Sequence, residues 1–102
     1  MAFEKAKQLW DLQKRARAIQ KELRDTEVEA SSADGRVTVV FNGEMHLKSI
    51  SVDPSLASDG QKHVLEEAVK NTVTQALARA QAIAAEKSKE LMGNMGMNLP
   101  GM

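Results

Sequence analysis

The chain has no cysteine and no tyrosine, and only two prolines, two phenylalanines and one tryptophan among its 102 residues. Each shortage excludes something. Without cysteine there is no disulfide, no thiolate metal site and no cysteine nucleophile, a composition that suits a reducing compartment. Aromatic residues make up 3% of the chain against 42% hydrophobic residues, so a core can form but stays thin, and oligomerisation is the expected supplement. The start, Met1-Ala2-Phe3-Glu4-Lys5, lacks the apolar stretch of a signal peptide, and no segment approaches the roughly 20 apolar residues that span a bilayer. A soluble, cytoplasmic, single-domain chain with no membrane partner is expected.

Catalytic constellations are as scarce as aromatics. His46 and His63 each lack a second histidine or a carboxylate at metal-ligand spacing on the same face. Glu66 and Glu67 are adjacent and diverge by about 100° around a helix, so they cannot face one another as acid and base. Gly93-Asn94-Met95-Gly96 follows a helical pattern rather than a strand and has no lysine, unlike a phosphate loop. Ser55 follows Pro54 in a capping turn, with no nucleophile elbow around it. No enzyme, cofactor, metal or small-molecule substrate is therefore expected.

What the sequence does have is segregated charge. Its 14 basic and 14 acidic residues cancel. Along the chain, however, residues 1 to 24 hold seven Lys or Arg against three Asp or Glu, and residues 25 to 60 hold two against seven. The basic segment reads as a helix from about Ala2 to about Asp25. With a seven-residue period, Leu9, Leu12, Ala16, Ile19 and Leu23 form a narrow apolar seam suited to another helix. On the opposite side Lys7, Trp10, Lys14, Arg17, Lys21 and Arg24 recur at intervals of three and four. That row is a ridge of five cations and one indole, without a carboxylate, about 26 Å long. Lysines and arginines at this spacing can meet phosphates, and an indole can stack at a groove edge. The same row is also what a solvated helix face looks like, and Trp10 could equally pack under a partner subunit. The residues alone leave these uses open.

From Val28 the period changes to two. Asp34-Gly35 and Asn42-Gly43 suit tight two-residue hairpin turns and delimit strands over Val28 to Ala33, Arg36 to Phe41 and Glu44 to Val52, an antiparallel meander. Met45 and Leu47 fall on one face of the third strand but Ile50 and Val52 on the other, which predicts a bulge near Lys48 or Ser49. Asp53-Pro54-Ser55-Leu56 reads as a cap and first turn. Ser58-Asp59-Gly60-Gln61 matches a capping box that opens a long Ala-rich helix ending near Met92. Its small residues from Ala76 to Ala85 suit close helix-to-helix approach. Residues 93–102, rich in Met, Gly and Pro, are expected to form a flexible tail after a single domain over 1–92.

Six-residue strands span about 20 Å, whereas the two helices would span roughly 36 and 50 Å. The overhanging seams, Leu9 and Leu12 at one end and Ile83 with Leu91 at the other, would be exposed unless the helices zip against each other or against a second copy. A symmetric homodimer is expected, with Leu9, Leu12, Ile19, Leu23 and Ile83 at its interface.

The order of elements and several local motifs resemble the YbaB/EbfC group of small bacterial nucleoid-associated proteins. The resemblance covers nearly the whole chain. It rests on Gln20-Lys21-Glu22-Leu23, on Gly35 with Val37 to Phe41, and on Asn42-Gly43. Further matches are Ile50-Ser51-Val52-Asp53-Pro54-Ser55-Leu56, the Ala-rich helix, and the ending Met97-Asn98-Leu99-Pro100-Gly101-Met102. It implies an α+β homodimer shaped like tweezers that binds double-stranded DNA with limited sequence preference and organises the nucleoid. The expected DNA contacts are Lys7, Trp10, Lys14, Arg17, Lys21 and Arg24, flanked by Lys5 and Arg15 and extended by Lys87 and Lys89 near the end of the last helix. The rival expectation is a helical protein-interaction or adaptor module whose charges serve solubility.

Overall fold

The computed structural model describes residues 2–94. Helix α1 spans Ala2–Asp25, strands β1, β2 and β3 span Glu27–Ser31, Val37–Asn42 and Leu47–Val52, and a short 3-10 turn over Pro54–Ala57 leads to helix α2, Lys62–Asn94. The expected α+β order is present, with a three-stranded antiparallel sheet in the order β1-β2-β3. Among the described residues no helix is long and apolar enough to cross a membrane. The molecule is elongated, 70 × 28 × 15 Å, because both helices outrun the sheet.

The core is one layer of helix on one face of sheet. Val28, Ala30, Val37, Val39 and Phe41 are buried against Ala76 and Ala80 of α2 and Leu56 of the 3-10 turn. The small residues of α2 thus serve close approach of helix to sheet, where helix-to-helix contact was expected. The reason is period: Thr72, Ala76 and Ala80, spaced by four, are all buried on the same side of α2, and without bulk there the helix axis settles close to the valines of β2.

Both expected two-residue turns are longer. In the first, the Ser32 backbone N–H donates to the Val37 carbonyl at 2.8 Å, and Gly35, at φ +75°, donates back to the Ser32 carbonyl at 2.9 Å. Ser32 and Asp34 side chains accept backbone N–H groups from Val37 and Arg36, so Ala33 to Arg36 form a four-residue loop. The Arg36 guanidinium and the Ser32 hydroxyl hold the Asp34 carboxyl down at about 2. In the second, Asn42 continues β2, and its side-chain oxygen accepts the Glu44 and His46 N–H groups at 3.0 Å each. Met45 takes the left-handed conformation at φ 66°, and His46 precedes β3 instead of lying within a strand. The capping box does not form either. Ser58 donates its hydroxyl to the Ser55 carbonyl at 2.7 Å, Gly60 sits at φ +81°, and α2 starts at Lys62. The Asp53 cap does form, accepting the Ser55 N–H at 2.9 Å. At the other end α2 runs through Gly93 to Asn94, and residues 95–102 of the expected tail lie outside the described residues.

The expected bulge is present. Val40 pairs with Ser49 and Phe41 with Leu47, leaving Lys48 as the extra residue. It turns Leu47, Ile50 and Val52 onto one face, opposite Phe41, Val39 and Val37.

Gly43 fixes the angle of α1. Its N–H donates to the Leu23 carbonyl at 2.7 Å and to the Thr26 carbonyl at 3.1 Å, satisfying acceptors that the end of α1 leaves open. A Cβ at Gly43 would lie 2.7 Å from Leu23 O and 2.9 Å from Leu23 Cα, so the glycine is there for close backbone approach. Gly43→Ala is expected to lower stability by about 1–3 kcal/mol through overpacking, read as a lower urea midpoint at unchanged slope. A wild-type midpoint would show that the junction yields freely.

Candidate nucleic-acid interface

Because α1 contains neither glycine nor proline, its seven-residue pattern is kept over all 24 residues. The seam divides in two. Leu12, Ala16, Ile19 and Leu23 are half-buried, whereas Leu9 is exposed. Ile19 faces Leu91 across a groove between the two helices, lined also by Arg15, Ala18, Glu22 and Glu90. Leu23 sits against Gly43, and Ile83 packs on the core. Ile19, Leu23 and Ile83 are thus engaged within the protomer, while residues 3–11 of α1 are exposed throughout.

On the opposite side, Lys7, Trp10, Lys14, Arg17, Lys21 and Arg24 are all exposed. The row is continuous but not uniform. The Lys14 ammonium lies 5.4 Å from the centre of the Trp10 ring, a cation–π contact that holds charge and indole side by side. At the other end Arg24 donates its Nε–H to Glu44 Oε1 at 3.1 Å, so a carboxylate from the β2–β3 connection meets a row that has none of its own.

The flanking residues go elsewhere. Lys5 shares a side of α1 with Leu12 and Ile19, at seven-residue spacing, and so belongs to the seam side. Arg15 borders the interhelical groove. Lys87 Nζ lies 2.6 Å from Glu22 Oε1 and 3.5 Å from Glu90 Oε2, clasping α2 to α1. The hydrogen bond to Glu22 raises the Lys87 pKa above its ordinary value, so the clasp is charged at neutral pH and would be lost only as pH rises past the lysine range. Lys89 is exposed on α2. Five of the expected contacts, Lys7, Trp10, Lys14, Arg17 and Lys21, therefore stand together on one open face.

Two residues of this surface escaped sequence reasoning. Phe3 stands four residues before Lys7 and extends the row by one step, a placement that helical spacing alone could reveal. Glu44 is 20 positions from Arg24 in the chain and left no local signal.

Comparison with known proteins bears on what such a surface does. The YbaB/EbfC DNA-binding family model matches residues 2–95. A nucleoid-associated protein of Nitrobacter hamburgensis is 36% identical over 96 residues, covering 94% of this chain and 90% of that protein. One from a Synechococcus strain is 37% identical over 101 residues, covering 99% and 86% respectively. The crystal structure of an uncharacterized Helicobacter pylori protein, HP0035, superposes with a TM-score of 0.72 at 26% identity, over 95% of this chain and 99% of that one.

Removing the carboxylate that pairs with Arg24 tests the extent of the ridge. Glu44→Gln is expected to free Arg24, tighten binding to a nucleic-acid duplex and steepen the log–log salt dependence by about 0.9. An unchanged slope, measured by anisotropy at several salt concentrations, would place Arg24 outside the interface.

Proposed function

The chain belongs to the YbaB/EbfC DNA-binding family, and on that premise we propose that it is a nucleoid-associated protein that binds double-stranded DNA as a homodimer. The observation that carries this reading is the single open face shared by Lys7, Lys14, Arg17 and Lys21. The row offers Lys and Arg at helical spacing, which suits a succession of phosphate contacts along a duplex. Contacts of that kind position the protein without reading sequence, which supports limited sequence preference and a role in coating and organising the nucleoid and modulating expression there. Lys89 is a secondary phosphate contact. Lys87, Arg15 and Lys5 contribute background charge.

The homodimer reading rests on a half-covered sheet. Helix α2 lies over β1 and β2, and Arg79 of α2 donates to the Glu29 carbonyl at 2.8 Å on the outer edge of β1. On the same face Leu47, Ile50 and Val52 remain 51%, 43% and 39% exposed, although they stand opposite residues that are buried. A second copy laid against β3 would remove these side chains from water at roughly 25 cal/mol per Å2 of apolar surface. The N-terminal end of the seam, exposed Leu9 and half-buried Leu12, offers a second contact between protomers.

Charge reversal at the centre of the ridge, Lys14→Glu with Arg17→Glu and Lys21→Glu, is expected to abolish duplex binding at moderate salt. Wild type should show a log–log slope of about −3.6 per protomer from the four ridge cations other than the Glu44-paired Arg24. Equal binding by the triple variant would remove the ridge from the mechanism. Ile50→Asp is expected to convert the dimer to a monomer in sedimentation equilibrium and to weaken DNA binding through lost bivalency. A dimer that persists would exclude β3 as its interface.

A further inference from the structure

Phe3 changes the character of the ridge. The full row runs Phe3, Lys7, Trp10, Lys14, Arg17, Lys21, Arg24, at intervals of four and three, and its two largest apolar members stand together at the N-terminal end of α1. Phe3 is 91% exposed and Trp10 61% exposed, and with Ala6 and Lys7 they line an apolar cleft with Glu4 at its rim. In a chain with only three aromatic residues, this places two of them in water. Burial would favour each strongly, so the exposure calls for an occupant.

We propose that Phe3 and Trp10 form an aromatic wedge that enters the groove of a DNA duplex and stacks against its bases while the cationic part of the same row holds the phosphates. The proposal rests on the DNA-binding reading and deepens it by giving the row two chemically different ends.

Three observations select DNA bases over other occupants. Lys7 lies between the two rings in sequence, and the Lys14 ammonium lies over the indole, so the apolar cleft is framed by cations that would be desolvated beneath an apolar protein surface but neutralised beside phosphates. The aromatic end continues the row without a break, so one docking pose serves both. A second copy of the chain is better served by β3, whose connection to β2 adjoins Leu23, about 30 Å along α1 from Phe3. The spacing also fits: seven helical residues set the two rings about 10 Å apart along the axis, close to three base steps. Apolar side chains pushed between base steps unstack them and bend the duplex, and aromatic stacking tolerates any base.

Trp10 is the only tryptophan, so its emission reports on this end alone. Wild-type protein should show quenching of that emission on titration with duplex, and an aminopurine-labelled duplex should brighten as its bases unstack. Phe3→Ala with Trp10→Ala is expected to weaken binding about tenfold at every salt concentration, to leave the log–log slope unchanged and to abolish the aminopurine signal. Phe3→Leu with Trp10→Leu, which keeps apolar volume without flat rings, should behave in the same direction. If both aromatic variants bind like wild type while the Lys14, Arg17 and Lys21 charge-reversal variant does not, the wedge is overturned and the DNA reading stands. If wild type binds no duplex, both fall. Trp10 emission that responds to a protein partner and not to duplex would also overturn the wedge.

Discussion

The carbonyl of Leu23 is the point on which the shape of this molecule turns. It lies in the last turn of α1, where helical carbonyls lack partners, and it is met by the Gly43 N–H at 2.7 Å and the Thr26 N–H at 3.2 Å. Asn42, almost fully buried, folds the β2–β3 connection around that contact by accepting two backbone N–H groups on one side-chain oxygen. A helix whose end is tied so closely to a rigid strand has little freedom of direction. The ridge inherits its aim from that junction, and the Lys87 clasp to Glu22, the residue just before Leu23, ties this end of α1 to α2.

Small residues decide where apolar surface is left over. Ala76 and Ala80 let α2 lie low on β1 and β2, but a low helix covers a narrow strip, and no residue of β3 joins the buried core. The Lys48 bulge then brings Leu47, Ile50 and Val52 onto the same face as the core while they remain outside it. A thin core and an apolar strand at its border are two consequences of one choice of side-chain size. The edges differ accordingly: Arg79 occupies an outward carbonyl of β1, a device that blunts pairing on that side and leaves β3 for association.

Features governed by nearest neighbours were legible in the residues. The bounds of α1, the alternation of β2, the Asp53 cap and the Lys48 bulge all follow from spacing within a few positions. The failures share another cause. Asn42-Gly43 has the composition of a tight turn, but its glycine is needed for contact with Leu23, 20 residues away, and that tertiary demand overrides turn chemistry. Ser58 had the right spacing for a capping box, but its hydroxyl donates to the Ser55 carbonyl of the preceding 3-10 turn instead. For the ridge, the exposed row was readable from period alone, whereas the pairing of Arg24 with Glu44 and of Lys87 with Glu22 depends on which elements meet in space.

Those two ion pairs sort the basic residues by use. A cation with a carboxylate at hydrogen-bonding distance gives up part of that contact to bind a phosphate, so the exchange returns less than binding by an unpaired one. Arg24 and Lys87 stand where helix meets body, and there the charge fastens structure. Moving toward the N-terminal end of α1, away from the sheet, the ridge cations pair with no carboxylate of the sheet or α2 among the described residues, and finally the row becomes aromatic. The gradient follows the geometry: close to the body, neighbours are available and charges are consumed locally; on the projecting end they are not, and the side chains remain available to a partner from outside. A projecting helix is thus useful for binding for the same reason that it is costly to leave bare.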